Sequence, residues 1–196
     1  MTTVGASTDS RRADVPLGRD EVVAAVLKSA AHLFAERGPA ATSIRDIAAH
    51  SKVNHGLIHR HFGSKDALVG AVLDHLGGRL ADLLAADADG GEVAAAVDCQ
   101  LRVIARASLD GYAIGELQSR FPNMAMLLDA TRQRQASDLG ARLAAAHTIA
   151  LQLGWRMFGD FLRASTGLEG LDDRTFARSI GRTVDLILDA KGPDDS

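Results

Sequence analysis

Between positions 54 and 65 the chain carries an imidazole at His55, a second at His59, a guanidinium at Arg60 and an ammonium at Lys65, with Gly56 among them. Imidazole, guanidinium and ammonium donors suit phosphate oxygens and guanine edges, and a residue without a side chain lets a backbone approach such a surface closely. Gly56 costs about 1 kcal/mol of helix propensity, so its place near a helix start is informative. The same histidines admit another chemistry, because His55 and His59 are four apart, a spacing metal sites use, with His61 close by. No carboxylate or cysteine stands beside them and the His-Glu-x-x-His pattern is missing, so no metal and no cofactor is expected.

Those donors need helices to aim them. Thr42 can cap a helix carrying Ile44, Ile47 and Ala48, whose spacing makes one narrow apolar stripe. Ser51-Lys52-Val53 reads as a turn, Asn54 as the cap of a second short helix, and Gly63-Ser64 as the end of that helix and the cap of the next. Two short helices joined by a tight turn form a helix-turn-helix unit. If Ile58 and Phe62 are buried against the first helix, a step of about 100° per residue turns Gly56, His59 and Arg60 outward. A preceding helix from about Arg19 to Arg37, with Val23, Val26, Ala30, Leu33 and Phe34 inward and Gly38 at its end, completes a three-helix head.

The stretch from 20 to 68, with VVAAVLKSAAHLFAERG, TSIRDIAAHSKV and NHGLIHRHFGSKDAL in succession, resembles the N-terminal domain of the TetR family of bacterial transcriptional regulators. The resemblance implies that Thr42, Ser43 and Lys65 contact phosphates and that Arg45 meets a base or the backbone. It also makes Asn54, His55, Gly56, Leu57, His59 and Arg60 the recognition-helix surface. Leu57 and His59 stand where the family commonly has Thr and Tyr. Leu57 could meet a thymine methyl and His59 could replace the tyrosine at a phosphate.

Composition agrees with such a protein. The chain has 196 residues and a net charge of −3, distributed unevenly: residues 1–66 hold nine Lys/Arg against seven Asp/Glu, and the remainder 13 against 18. A basic head on an acidic body supports a nucleic-acid partner modestly. The single cysteine, Cys99, rules out an intramolecular disulfide, and with neither an apolar N-terminal stretch nor a membrane-length segment a cytoplasmic location is expected.

Periodicity is helical throughout, so the expected fold is all-α, with about nine helices. Residues 1–18 read as a polar, disordered leader, 19–66 as the helix-turn-helix head, and 67–196 as a helical effector-binding and dimerisation domain. Helices are predicted over 65–86, 92–107, 109–119, 122–138, 141–165 and 172–190, the first interrupted by Gly77-Gly78 as a kink or hinge, or else tightly packed there. The last two helices carry large apolar stripes: Leu151, Trp155, Phe158, Phe161 and Leu162, then Phe176, Ile180, Val184, Ile187 and Leu188. By resemblance these form a homodimer interface, which matches the need of one short recognition helix for a second half-site on a palindromic operator in double-stranded DNA. The middle helices would enclose a pocket for an unknown small-molecule effector, with His75, Gln100, Tyr112, Gln118, His147 and Gln152 as candidate lining.

The expected function is a ligand-responsive DNA-binding regulator, more a repressor than an activator, and not an enzyme. A helical ligand-binding or interaction module without DNA function is the alternative. A helical enzyme is a weaker one, since no phosphate loop, nucleophile elbow or carboxylate pair is present.

Overall fold

The computed structural model describes residues 18–190, so the leader and its arginines, Arg11 and Arg12, lie outside the described residues. Nine α-helices and no strands are found among the described residues, as the periodicity requires. They are α1 (Arg19–Arg37), α2 (Ile44–Ser51), α3 (His55–Phe62), α4 (Lys65–Ala85), α5 (Gly90–Leu109), α6 (Ile114–Leu117), α7 (Pro122–Arg132), α8 (Asp138–Thr166) and α9 (Asp173–Asp189).

Local chemistry explains the boundaries. Glu21 reaches back to the Gly18 amide at 3.3 Å to start α1, and Gly38, at φ 84°, ends it in a conformation other residues rarely adopt. Ser64 caps α4 and Ser137 caps α8 by accepting from Ala67 N and Gly140 N, each at 3.0 Å. Two expected boundaries move. The helix predicted over 109–119 survives only as the single turn α6, because Gly111 at φ 84° breaks the chain after α5. The helix predicted over 122–138 stops at Arg132, and Asp138 instead opens α8. In α1 it is Val22 that is fully buried, while Val23 is half-buried.

The expected interruption at Gly77-Gly78 does not occur, and α4 runs through both. Gly77 is buried where a Cβ would lie 3.4 Å from Asn123 Oδ1 and from Gln118 Nε2, in contact with both amides, while a Cβ at Gly78 would meet nothing. At Gly70 an added Cβ would overlap the Leu117 carbonyl oxygen, so only glycine lets α6 lie this close to α4.

One apolar core runs from the head into the body. Val22, Val26, Ala30 and Phe34 of α1 and Ile47 and Ile58 of α2 and α3 cluster with Val69, Val72 and Leu73 of α4 and Val103 and Ala107 of α5. Polar ties reinforce this seam: Arg106 Nε donates to Ala35 O at 3.0 Å, and Ala40 N donates to Asp110 Oδ2 at 2.7 Å. Thus α5, as well as the directly connected α4, holds the head.

Candidate nucleic-acid interface

The turn between α2 and α3 is built by its own residues. Ser43, not Thr42, caps α2: its hydroxyl accepts from Asp46 N at 3.1 Å while Asp46 Oδ2 accepts from Ser43 N at 2.8 Å. The Ser43 backbone and side-chain hydrogen bonds hold the Asp46 carboxyl below its ordinary range, with help from Arg37, 3.4 Å away. Lys52 takes the left-handed conformation, φ 57°, that turns the chain, and Asn54 Oδ1 accepts from Gly56 N at 2.8 Å to start α3.

This geometry presents the expected face. Ile58 is buried and Phe62 half-buried, while His55, Gly56, Leu57, His59 and Arg60 are exposed. Ser43, Arg45, His55, His59 and Ser64 line one groove of about 410 Å³, floored by Ile44, Ile58 and Phe62. The amino ends of α2 and α4 therefore meet the His55 and His59 flank of α3, and helix amino ends favour anions. Lys65, half-exposed, lies in the first turn of α4 beside that groove. The side chains of Arg45, His55, His59, Arg60 and Lys65 enter no hydrogen bond or ion pair among the described residues, which leaves their donors available.

Thr42 requires a correction. Its side chain is fully buried and its hydroxyl donates to Gly38 O at 2.8 Å, so it neither caps α2 nor offers a phosphate contact. The hydroxyl closes the turn after α1, and Ser43, one residue on, occupies the exposed cap position.

A profile of bacterial regulatory proteins of the tetR family matches residues 26–72, which takes in most of α1, all of α2 and α3 and the start of α4. The whole chain is similar to a curated protein as well: it is 59% identical over 189 residues to the HTH-type transcriptional repressor Rv3405c of Mycobacterium tuberculosis (strain ATCC 25618 / H37Rv), covering 96% of this chain and 99% of that one. The chain belongs to the tetR family.

More distant likenesses agree in part. The HTH-type transcriptional repressor KstR2 of Rhodococcus jostii (strain RHA1) is 40% identical over 68 residues, about a third of each chain. A crystal structure of a HlyIIR mutant protein superposes with a TM-score of 0.55 at 18% identity, over 88% of this chain and 100% of that one, a likeness of fold alone. As a tetR-family member the protein is a helix-turn-helix transcriptional regulator that binds DNA, in a family of regulators rather than enzymes. No helix among the described residues is long and apolar enough to cross a membrane.

The body of this tetR-family chain separates the six candidate pocket residues. Gln100 and Gln118 are buried and line a cavity of about 170 Å³ walled by Leu101, Ile104, Ile114, Phe121, Met124 and Ile149. The other four do not line it. His75 faces a different groove against α1, Tyr112 packs on the head's core near Asp66 and Asp110, His147 is exposed, and Gln152 is half-buried on α8. Sequence reasoning missed Asn123, whose Nδ2 donates to Gln100 Oε1 at 3.2 Å while its buried Oδ1 has no partner. It lies in the first turn of α7, where no motif or spacing marks it.

The ten apolar residues on α8 and α9 also divide. Leu151, Trp155, Leu162, Phe176, Ile180, Val184, Ile187 and Leu188 are half-buried, with Trp155 edge-on to Phe176 at 4.7 Å between ring centroids. Phe158 and Phe161 are 53% and 68% exposed and line, with Trp155, a groove against α5. Leu186, which the spacing did not single out, is 72% exposed.

Proposed function

We propose that this protein represses transcription by binding a palindromic operator as a homodimer, and that a small molecule in the body tunes that binding. The observation that carries the reading is the outer face of α3. Its exposed donors have no partner among the described residues, and two of them, His55 and His59, adjoin two capped helix ends in one groove. Dimerisation rests on Phe158, Phe161 and Leu186, large apolar groups a single chain leaves in water.

The cavity beside Gln100, Gln118 and Asn123 is the effector site. At about 170 Å³ it lies below the usual range of ligand pockets, roughly 300–1,000 Å³, and no charged side chain lines it, so it suits a small uncharged molecule. A route to the head exists in the chain itself. Asp74 of α4 accepts from Ser119 N and Arg120 N, each at 3.0 Å, and from the Ser119 hydroxyl, which fixes the loop between α6 and α7 that borders the cavity. An occupant that displaces this loop pulls on α4, and α4 shares the head's core.

Selection of bound fragments from random or genomic DNA by the purified protein, at two salt concentrations, tests the reading. Enrichment of a palindrome, bound by dimers and weakening steeply with salt, is expected. Enrichment of an asymmetric site bound by one chain, or no enrichment with or without candidate effectors, would overturn it.

A further inference from the structure

A second groove, about 390 Å³, opens along the seam where α1 meets α4 and α5. Its wall is small and apolar, formed by Ala31 and Ala35 of α1 and Leu76 of α4, while Lys28, Arg79 and Arg102 bring positive charge to its rim. Of the two acids on that rim, Asp98 pairs with Arg102 at 2.7 Å and also with Arg156, while Glu36 lies 3.3 Å from His32, a contact that is an ion pair only when the imidazole is protonated. Lys28 and Arg79 enter no ion pair among the described residues. They come from opposite walls of one groove in a chain whose net charge is −3, and the charge of Arg79 is felt at both His75 and Cys99. Two unpaired cations over a low-dielectric wall concentrate anions, and a guanidinium offers paired donors to a carboxylate or phosphate.

We propose that this seam is an anion site, separate from the DNA face and from the uncharged cavity. It takes a small organic anion, a carboxylate or phosphate monoester, with its charged end on Lys28 and Arg79 and its apolar end on Ala31, Ala35 and Leu76. An occupant touches the first helix of the head and two helices of the body at once. It therefore sets how the head is held by a route that does not pass through the loop between α6 and α7.

The test uses the full chain without DNA. Phenyl phosphate and benzoate are titrated by calorimetry, with inorganic phosphate as the headgroup alone and benzyl alcohol as the uncharged control. Cys99 is the only cysteine and lies half-buried in the groove wall, so its alkylation by iodoacetamide reports occupancy at that place. One aromatic anion per chain should bind and slow the alkylation. R79Q and K28Q, both changes of exposed side chains that leave the fold intact, should each weaken binding by about tenfold, while R60A leaves it unchanged. Equal binding of benzyl alcohol, loss in R60A, unprotected Cys99, or wild-type binding by R79Q would each overturn the proposal. Inorganic phosphate binding as tightly as phenyl phosphate would remove the apolar half of the site.

Discussion

Helices α1 and α9 have nearly the same length, 19 and 17 residues, yet α1, whose apolar side chains spread around much of its circumference, buries seven residues, and α9, whose apolar side chains keep to one face, buries none. The difference lies in their partners. α1 is packed against α2, α3, α4 and α5, while α9 lies against α8, whose own Phe158 and Phe161 remain in water. Periodicity thus tells which side of a helix wants a partner, but not whether that partner belongs to the same chain.

The comparison breaks most visibly at its weaker member. The double variant Phe158→Glu, Phe161→Glu should leave a folded chain, since both side chains are exposed, but halve the mass seen by sedimentation. Operator affinity should fall by about a hundredfold or more, because the second half-site no longer benefits from being tethered to the first. A variant that stays dimeric would mean that α9 alone supplies the interface.

At the tightly packed member the sharpest probe is Gly70→Ala. The added carbon meets a backbone oxygen of α6 that cannot rotate away, and overpacking of this kind costs about 1–3 kcal/mol, or about 2–4 °C in Tm for each of those. An unchanged melting curve would show that α6 moves freely against α4, which would also weaken the route proposed from cavity to head.

Two changes in the head separate folding from contact with DNA. Arg60→Ala should cost about 1–3 kcal/mol of specific binding with little effect on Tm. Thr42→Val should do the reverse, costing about 1 kcal/mol of stability through the lost hydrogen bond to Gly38 O and leaving operator affinity in place. Fluorescence titration with operator DNA and a thermal melt of each variant decide both, and weaker DNA binding by Thr42→Val at full stability would return Thr42 to the DNA face.

The smallest effect concerns His75. Burial, and then the charge of Arg79, hold its pKa below the ordinary value, with Lys28, His32 and Glu36 facing it from α1 and Asp98, Cys99 and Arg102 from α5. The unfolded chain therefore takes up this proton at higher pH than the folded one. The associated stability is complete above the ordinary imidazole pKa of about 6.5 and is lost as pH falls from there toward the folded value. His75→Gln should flatten the decline of Tm between about pH 7 and 5, and an identical slope would show that the groove is better hydrated than its walls imply.

What could be read in the sequence was local. The caps at Asn54 and Ser64, the buried Ile58 and the outward His59 and Arg60 follow from contacts within a few residues. The all-α fold and the count of helices followed from periodicity in the same way. Thr42 was misplaced by one position, because Thr and Ser are both good caps and only the carboxylate of Asp46 decides between them. Gly77-Gly78 reads as a hinge or a contact on propensity alone; α4 runs through both, and what Gly77 touches, the amides of Gln118 and Asn123, lies too far along the chain to be read locally. Asp74, Arg106 and Asp110 escaped notice entirely. Charged residues at helical spacing read as solvated, and nothing local marks those that reach across to another element's backbone.

The shared core of the head also bears on portability. A cut at 66/67 would strand Ile47, Ile58 and Phe34 without Val69, Val72 and Leu73 of α4, and without Val103 and Ala107, which come from another part of the chain. The DNA-reading unit is therefore discontinuous in sequence. It cannot be moved to another body as a cassette unless α4 and the end of α5 travel with it, and regulators of new specificity are better made by exchanging only the outward residues of α3.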